Sequence, residues 1–65
     1  MTQKETILRH LYEKGPISQL EATREYMILR LSARIEELRR DGHYIINEDV
    51  KMFDKRYVKY RLLSL

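Results

Sequence analysis

The sequence predicts an α+β domain: three helices followed by a two-stranded antiparallel β-hairpin. Three observations predict it. Capping boxes precede two stretches of helical apolar spacing, a third such stretch closes on Gly42, and after His43 the apolar period falls to two. A chain of 65 residues has room for one small domain, residues 1–65, and buries a smaller share of its surface than a longer chain would.

The first helix follows from Thr2 and Glu5, a T-x-x-E pair, and from Ile7, Leu8, Leu11 and Tyr12, which recur at helical spacing until "KGP". It is expected to end at Gly15, because Pro16 lacks an amide hydrogen and pushes its predecessor out of helical geometry. Ser18 and Glu21 in "ISQLEATREY" repeat the capping pattern and open a short second helix, with Leu20 and either Tyr26 or Met27 expected to point inward. Leu31, Ile35 and Leu38, spaced i, i+4, i+7, give the third, and Gly42 stands where a left-handed cap is expected. Only a few residues around Met27 to Leu29 join helices two and three, which is the spacing of a helix-turn-helix.

"HYIIN" is β-branched and aromatic, "NED" and "FDKR" read as turn material, and "RYVKYRLLSL" sets Val58, Tyr60 and Leu62 against Tyr57, Lys59 and Arg61. A lone hairpin is barely stable in water, so one of its faces is expected on the helices. Helix, helix, helix, hairpin is the order of a winged helix.

Composition narrows the classes. With 43% hydrophobic and 35% charged residues the chain suits an ordered globular domain rather than a disordered one. There is no cysteine, which excludes disulfides and thiolate zinc, so the fold rests on packing. No apolar run approaches a membrane span, and "MTQKETILRH" lacks the apolar core of a signal peptide, so a cytoplasmic protein is expected, nucleoid-associated when on DNA. The net charge of +3 leans towards a polyanionic partner. Residues 1–29 are balanced; the excess lies beyond, with five Lys/Arg against three Asp/Glu in 42–65.

The stretches "ISQLEATREY" and "RLSARIEELRRDGH", with the final "VKYRLLSL", resemble a family of small winged helix-turn-helix proteins common in phages and prophages. The resemblance spans nearly the whole chain and implies a DNA-binding fold, without implying a particular operator. The family often has glycine where this chain has Met27. With methionine, either the turn stays helical for longer or Met27 reaches into the core.

In a helix-turn-helix the first turns of the second helix enter the major groove. Here those turns hold Arg30, Ser32, Ala33 and Arg34 and no acid. Arginine bonds guanine or phosphate, serine bonds either, and a small alanine permits close approach. Glu36, Glu37 and Asp41 follow where the helix would leave the groove. The competing account is a solvated face whose charges pair with one another, Glu36 with Arg40 directly and Arg30 with Glu37 weakly. In the hairpin, Lys51, Lys55 and Arg56 are the candidates for phosphate contact, against an ordinary role for such lysines in discouraging strand addition. Phe53 near the tip is read either as a contact to a sugar or partner or as folded back on the wing. Tyr12, Tyr44, Tyr57 and Tyr60 are assigned to the rim of the core rather than to stacking on single strands.

Neither His10 nor His43 has the company of a catalytic histidine, and no metal spacing, phosphate loop or matched nucleophile and base is present in the sequence, so no enzyme, metal or cofactor is expected. The leading reading is a binder of double-stranded DNA, a transcriptional regulator or an excisionase-like architectural factor, with helix three in the major groove and the wing on the backbone. A lone module covers little DNA, which favours a homodimer or copies side by side. The alternative is a winged-helix interaction module that binds and inhibits or redirects a host or phage protein, which the mixed charges on helix three suit.

Overall fold

The computed structural model describes residues 1–63, ordered as α1 (Gln3–Glu13), β1 (Ile17–Ser18), α2 (Gln19–Tyr26), α3 (Leu31–Arg40), β2 (Ile45–Met52) and β3 (Lys55–Leu62). The three helices and the β2–β3 hairpin stand as the sequence predicts.

The helix ends follow their local chemistry. The Thr2 hydroxyl accepts the Glu5 N–H at 3.1 Å, though Glu5 returns its carboxylate to the Thr2 hydroxyl rather than to the Thr2 amide. At Ser18 the capping box is reciprocal: the hydroxyl accepts the Glu21 N–H and the Glu21 carboxylate accepts the Ser18 N–H. Gly15 takes φ 104°, and its N–H returns to the His10 carbonyl. Gly42, at φ 103°, closes α3 in a Schellman arrangement, with its own N–H on the Arg39 carbonyl and that of His43 on the Leu38 carbonyl.

Two expectations about the second helix are corrected. Leu20 and Met27 do not point inward; they are 64% and 81% exposed, and the buried positions are Ala22 and Ile28, with Tyr26 packed against the core. Met27 neither prolongs the helix nor enters the core. It takes the left-handed conformation itself, φ 56°, and the N–H groups of Met27 and Ile28 return to Thr23 and Ala22. The glycine role survives with a methionine in it, because an exposed side chain loses no packing by adopting it.

The sheet has the order β1-β3-β2, one strand more than the hairpin. Ile17 and Ser18 pair antiparallel with Tyr60 and Lys59, a two-residue strand too short to announce itself by periodicity. "NED" is not a turn: Asn47, Glu48 and Asp49 lie inside β2, opposite Tyr60, Lys59 and Val58. Their strand pairing outweighs their turn propensity. The reversal falls on Phe53 and Asp54, with a positive φ at Phe53. Residues opposite each other share a face, so Ile45, Tyr60, Leu62 and Ile17 form the face that meets the helices.

Ile7, Ile17, Ile28, Leu31, Ile35 and Leu38 are the fully buried large side chains. Burying each contributes roughly 1.5–3 kcal/mol, which makes this aliphatic cluster the main source of stability in a chain without disulfides. Tyr12 and Tyr44 are exposed, contrary to the rim assigned to them, whereas Tyr57 and Tyr60 are half-buried as expected of a rim. Of the terminal "LLSL", β3 ends at Leu62 and the Leu63 N–H bonds the Tyr44 carbonyl at 2.9 Å; residues 64–65 lie outside the described residues. No described helix is long and apolar enough to cross a membrane.

Candidate nucleic-acid interface

Helix α3 is fixed from three sides, and what remains free is the candidate interface. Its inner stripe, Leu31, Ile35 and Leu38, is in the core. Toward α1, Arg34 Nη1 donates to the Gln3 carboxamide oxygen at 3.3 Å, and Lys4 meets Asp41 at 2.8 Å. The hydrogen bond and charge attraction between Lys4 and Asp41 raise the ammonium above its ordinary value and lower the carboxyl. Toward β2, the Arg39 guanidinium donates to the Ile45 carbonyl from Nε and Nη2, at 3.1 and 2.9 Å, and to Asn47 Oδ1 at 2.7 Å.

The ends of the turn are tied by Gln19. Its carboxamide oxygen accepts the Leu31 N–H at 3.0 Å, while its nitrogen donates to the Ile28 carbonyl at 2.8 Å and to the Thr23 hydroxyl at 2.9 Å. One side chain thus satisfies a backbone acceptor of the turn and a first-turn donor of α3. Nothing local in the sequence marks it, since its backbone partners lie nine and twelve residues away.

Against this frame the sequence candidates separate. Arg30 is the N-cap of α3 without a side-chain hydrogen bond to the helix, and both it and Ser32 are exposed; Ala33 is half-buried beside them. The first turn has no acid. Arg34 is different: its Nε lies 2.9 Å from Glu37 Oε1, an ionic contact not aligned as a hydrogen bond, and its terminal group is on Gln3. The pairs expected for a solvated face, Arg30 with Glu37 and Glu36 with Arg40, are replaced by Arg34 with Glu37 and Arg39 with Glu36. Each of these is an i, i+3 pair. Arg40, expected to pair with Glu36, is exposed at the far end of the same helix.

In the wing, residues from Lys51 to Arg56 are all exposed, and Lys51 faces Arg56 across the hairpin. Phe53 is 90% exposed at the tip and does not fold back. Farther down, Lys59 is held by Glu21 at 3.3 Å and Arg61 by Glu48 at 2.7 Å, so the wing's unengaged cations are those near its tip. Burial alone would raise the Glu21 carboxyl, but hydrogen bonds and charge from Lys59 and Ser18 outweigh it and hold the group below the usual range.

The fold also brings company to His10 that the sequence did not suggest. The buried imidazole shares a 2.7 Å hydrogen bond between Nδ1 and the Tyr26 hydroxyl, and Glu21 and Glu25 come close enough for one atom of each to lie within 4.8 Å of the others. Lys14 and Lys59 already neutralise these carboxylates, at 3.6 and 3.3 Å, so the cluster works as a joint between α1 and α2.

No curated protein and no solved structure gives a significant match to the chain. A family model does: the one described as the winged helix-turn-helix domain matches residues 2–64, essentially the whole chain, and with the helix-turn-helix held by Gln19 and the hairpin wing beside it, the chain belongs to that family.

Proposed function

We propose that the protein binds double-stranded DNA with α3 in the major groove and the wing on the flanking backbone, as a small phage-type transcriptional regulator or an excisionase-like architectural factor. The observation that carries this reading is the start of α3. It has no acid, its N-cap residue Arg30 makes no side-chain hydrogen bond to the helix, and it presents the exposed Arg30 and Ser32. The positive end of the helix dipole favours phosphate at such a start, and arginine beside it reads guanine or grips the backbone. Lys51, Lys55 and Arg56 extend the same sign of charge along the wing. The role is non-catalytic and needs no cofactor. Two copies, or several side by side, give the contact area that useful specificity requires.

A second reading, an interaction module for a host or phage protein, draws on the ion pairs Arg34–Glu37 and Arg39–Glu36, which engage two of the arginines on α3. Fluorescence anisotropy with a mixed-sequence duplex at two salt concentrations separates them. The DNA reading expects binding that weakens with salt, and Arg30→Ala and Lys55→Ala each to flatten the log–log slope by about 0.9. Absence of binding at low salt overturns it.

A further inference from the structure

A groove of about 490 Å³ runs between the first turn of α2 and the outer half of β3. Leu20, Tyr57 and Val58 supply its apolar surface and Lys55, Arg56 and Lys59 its rim. It exists because β1 is so short: β1 covers β3 only at Tyr60 and Lys59, and then the chain leaves the sheet as α2. Residues 55–58 of β3 therefore have a strand neighbour on the β2 side alone.

The phase of the ladder says which backbone groups this leaves open. In an antiparallel pair, residues that exchange hydrogen bonds with the partner alternate with residues that turn N–H and C=O away from it. The two-residue loop makes Met52 and Lys55 a bonded pair, and the Leu63 N–H on the Tyr44 carbonyl sets the same phase from the other end of the hairpin. Tyr57 and Lys59 thus bond to β2, while Arg56, Val58 and Tyr60 face the far edge. Tyr60 meets Ile17 there. Arg56 and Val58 meet no strand, and they open onto the groove.

Charge selects the occupant. Lys59 is engaged by Glu21, and among the described residues no ion pair takes Lys55 or Arg56. A second copy of this chain fits poorly. If Arg56 pairs with the twin's Val58, Lys55 falls opposite Lys59 twice; if Arg56 pairs with its twin, two arginines meet. Like charges directly opposite destabilise a sheet.

We propose that this groove receives an extended acidic segment of a partner protein, added as a fourth strand on the free edge at Arg56 and Val58. Backbone hydrogen bonds supply affinity, apolar side chains of the segment rest on Leu20 and Tyr57, and its acids meet Lys55 and Arg56. An occupied groove covers two cations of the wing, so on the DNA reading above, segment and duplex compete.

The test titrates the full chain, isotope-labelled and without DNA, with a peptide of alternating glutamate and valine. Saturable binding is expected, with amide exchange at Arg56 and Val58 slowed by at least about tenfold while Tyr57 and Lys59, already bonded to β2, change little. The double variant Lys55→Glu, Arg56→Glu alters only exposed side chains. It should lower the affinity roughly tenfold and favour a peptide of alternating lysine and valine. No binding, or binding without protection at both amides, overturns the proposal. Concentration-dependent self-association that protects the same amides without peptide assigns the edge to a second copy and overturns it too. Because DNA is absent, failure of the duplex reading leaves this result untouched.

Discussion

Gln19 holds Leu31: the carboxamide at the start of α2 accepts the first N–H of α3 at 3.0 Å, tying together the starts of the two helices of the helix-turn-helix. The same side chain donates to the Ile28 carbonyl in the turn. Removing it leaves the partly buried Leu31 N–H without a protein partner and the Ile28 carbonyl with only the 3.4 Å bond from the Thr23 hydroxyl. Gln19→Ala is expected to destabilise the fold by about 1–3 kcal/mol, read as a shift in the urea midpoint at constant slope. On the DNA reading, duplex affinity of the folded variant falls as well, because the start of α3 loses its anchor.

Met27 carries the reverse expectation. It holds φ 56° with its side chain 81% exposed, so it bears the steric cost of a left-handed residue and gains little packing in return. Met27→Gly removes that cost, offset in part by the greater freedom of glycine in the unfolded chain. A net stabilisation of about 0.5–1 kcal/mol is expected in thermal or urea unfolding. A loss of stability would mean that the methionine makes contacts that matter.

Acid should weaken the junction of β3 with α2. The Glu21 carboxyl is held below its ordinary value, so the folded state binds that proton less readily than the unfolded chain does. Its contribution is therefore complete above the unfolded value, 4.5, and is lost as pH falls through the lower folded value. Unfolding of the wild type should show stability falling on acidification in that range. In Glu21→Gln the fall should be shallower, from a lower plateau at neutral pH. Asp41, lowered by Lys4, contributes in the same direction below its ordinary 3.8.

Glu37 restrains Arg34. Replacing it with glutamine breaks the 2.9 Å ion pair and removes a negative charge from the side of α3 that faces away from the core. On the DNA reading, Glu37→Gln tightens duplex binding by roughly two- to fivefold at low salt and steepens the salt dependence, measured by anisotropy. Arg34→Ala, which takes away a guanidinium already shared with Glu37 and Gln3, should cost less than Arg30→Ala.

The helices were legible because their signals are local. Thr2 and Ser18 mark helix starts by the hydrogen bonds their side chains make, Gly15 and Gly42 mark helix ends by the positive φ that a missing side chain allows, and Leu31, Ile35 and Leu38 follow from the pitch of one helix. The hairpin was legible as a change of period, although Asn47, Glu48 and Asp49 read as a turn when they are a strand, since cross-strand pairing is not visible in one segment.

What the amino-acid order determined by itself is thus three helices, a wing, the inner stripes of helices one and three and the basic character of residues beyond 42. The tertiary structure alone decided which charges remain free. Arg34 looks equivalent to Arg30 in the chain, yet it is drawn to Gln3 of α1, as Arg39 is drawn to Ile45 and Asn47 of β2, by elements that only folding brings alongside. It also decided that a two-residue strand at Ile17 and Ser18 completes only half of the edge of β3. A pairing between residues more than forty positions apart is a property of packed geometry, and no local period encodes it.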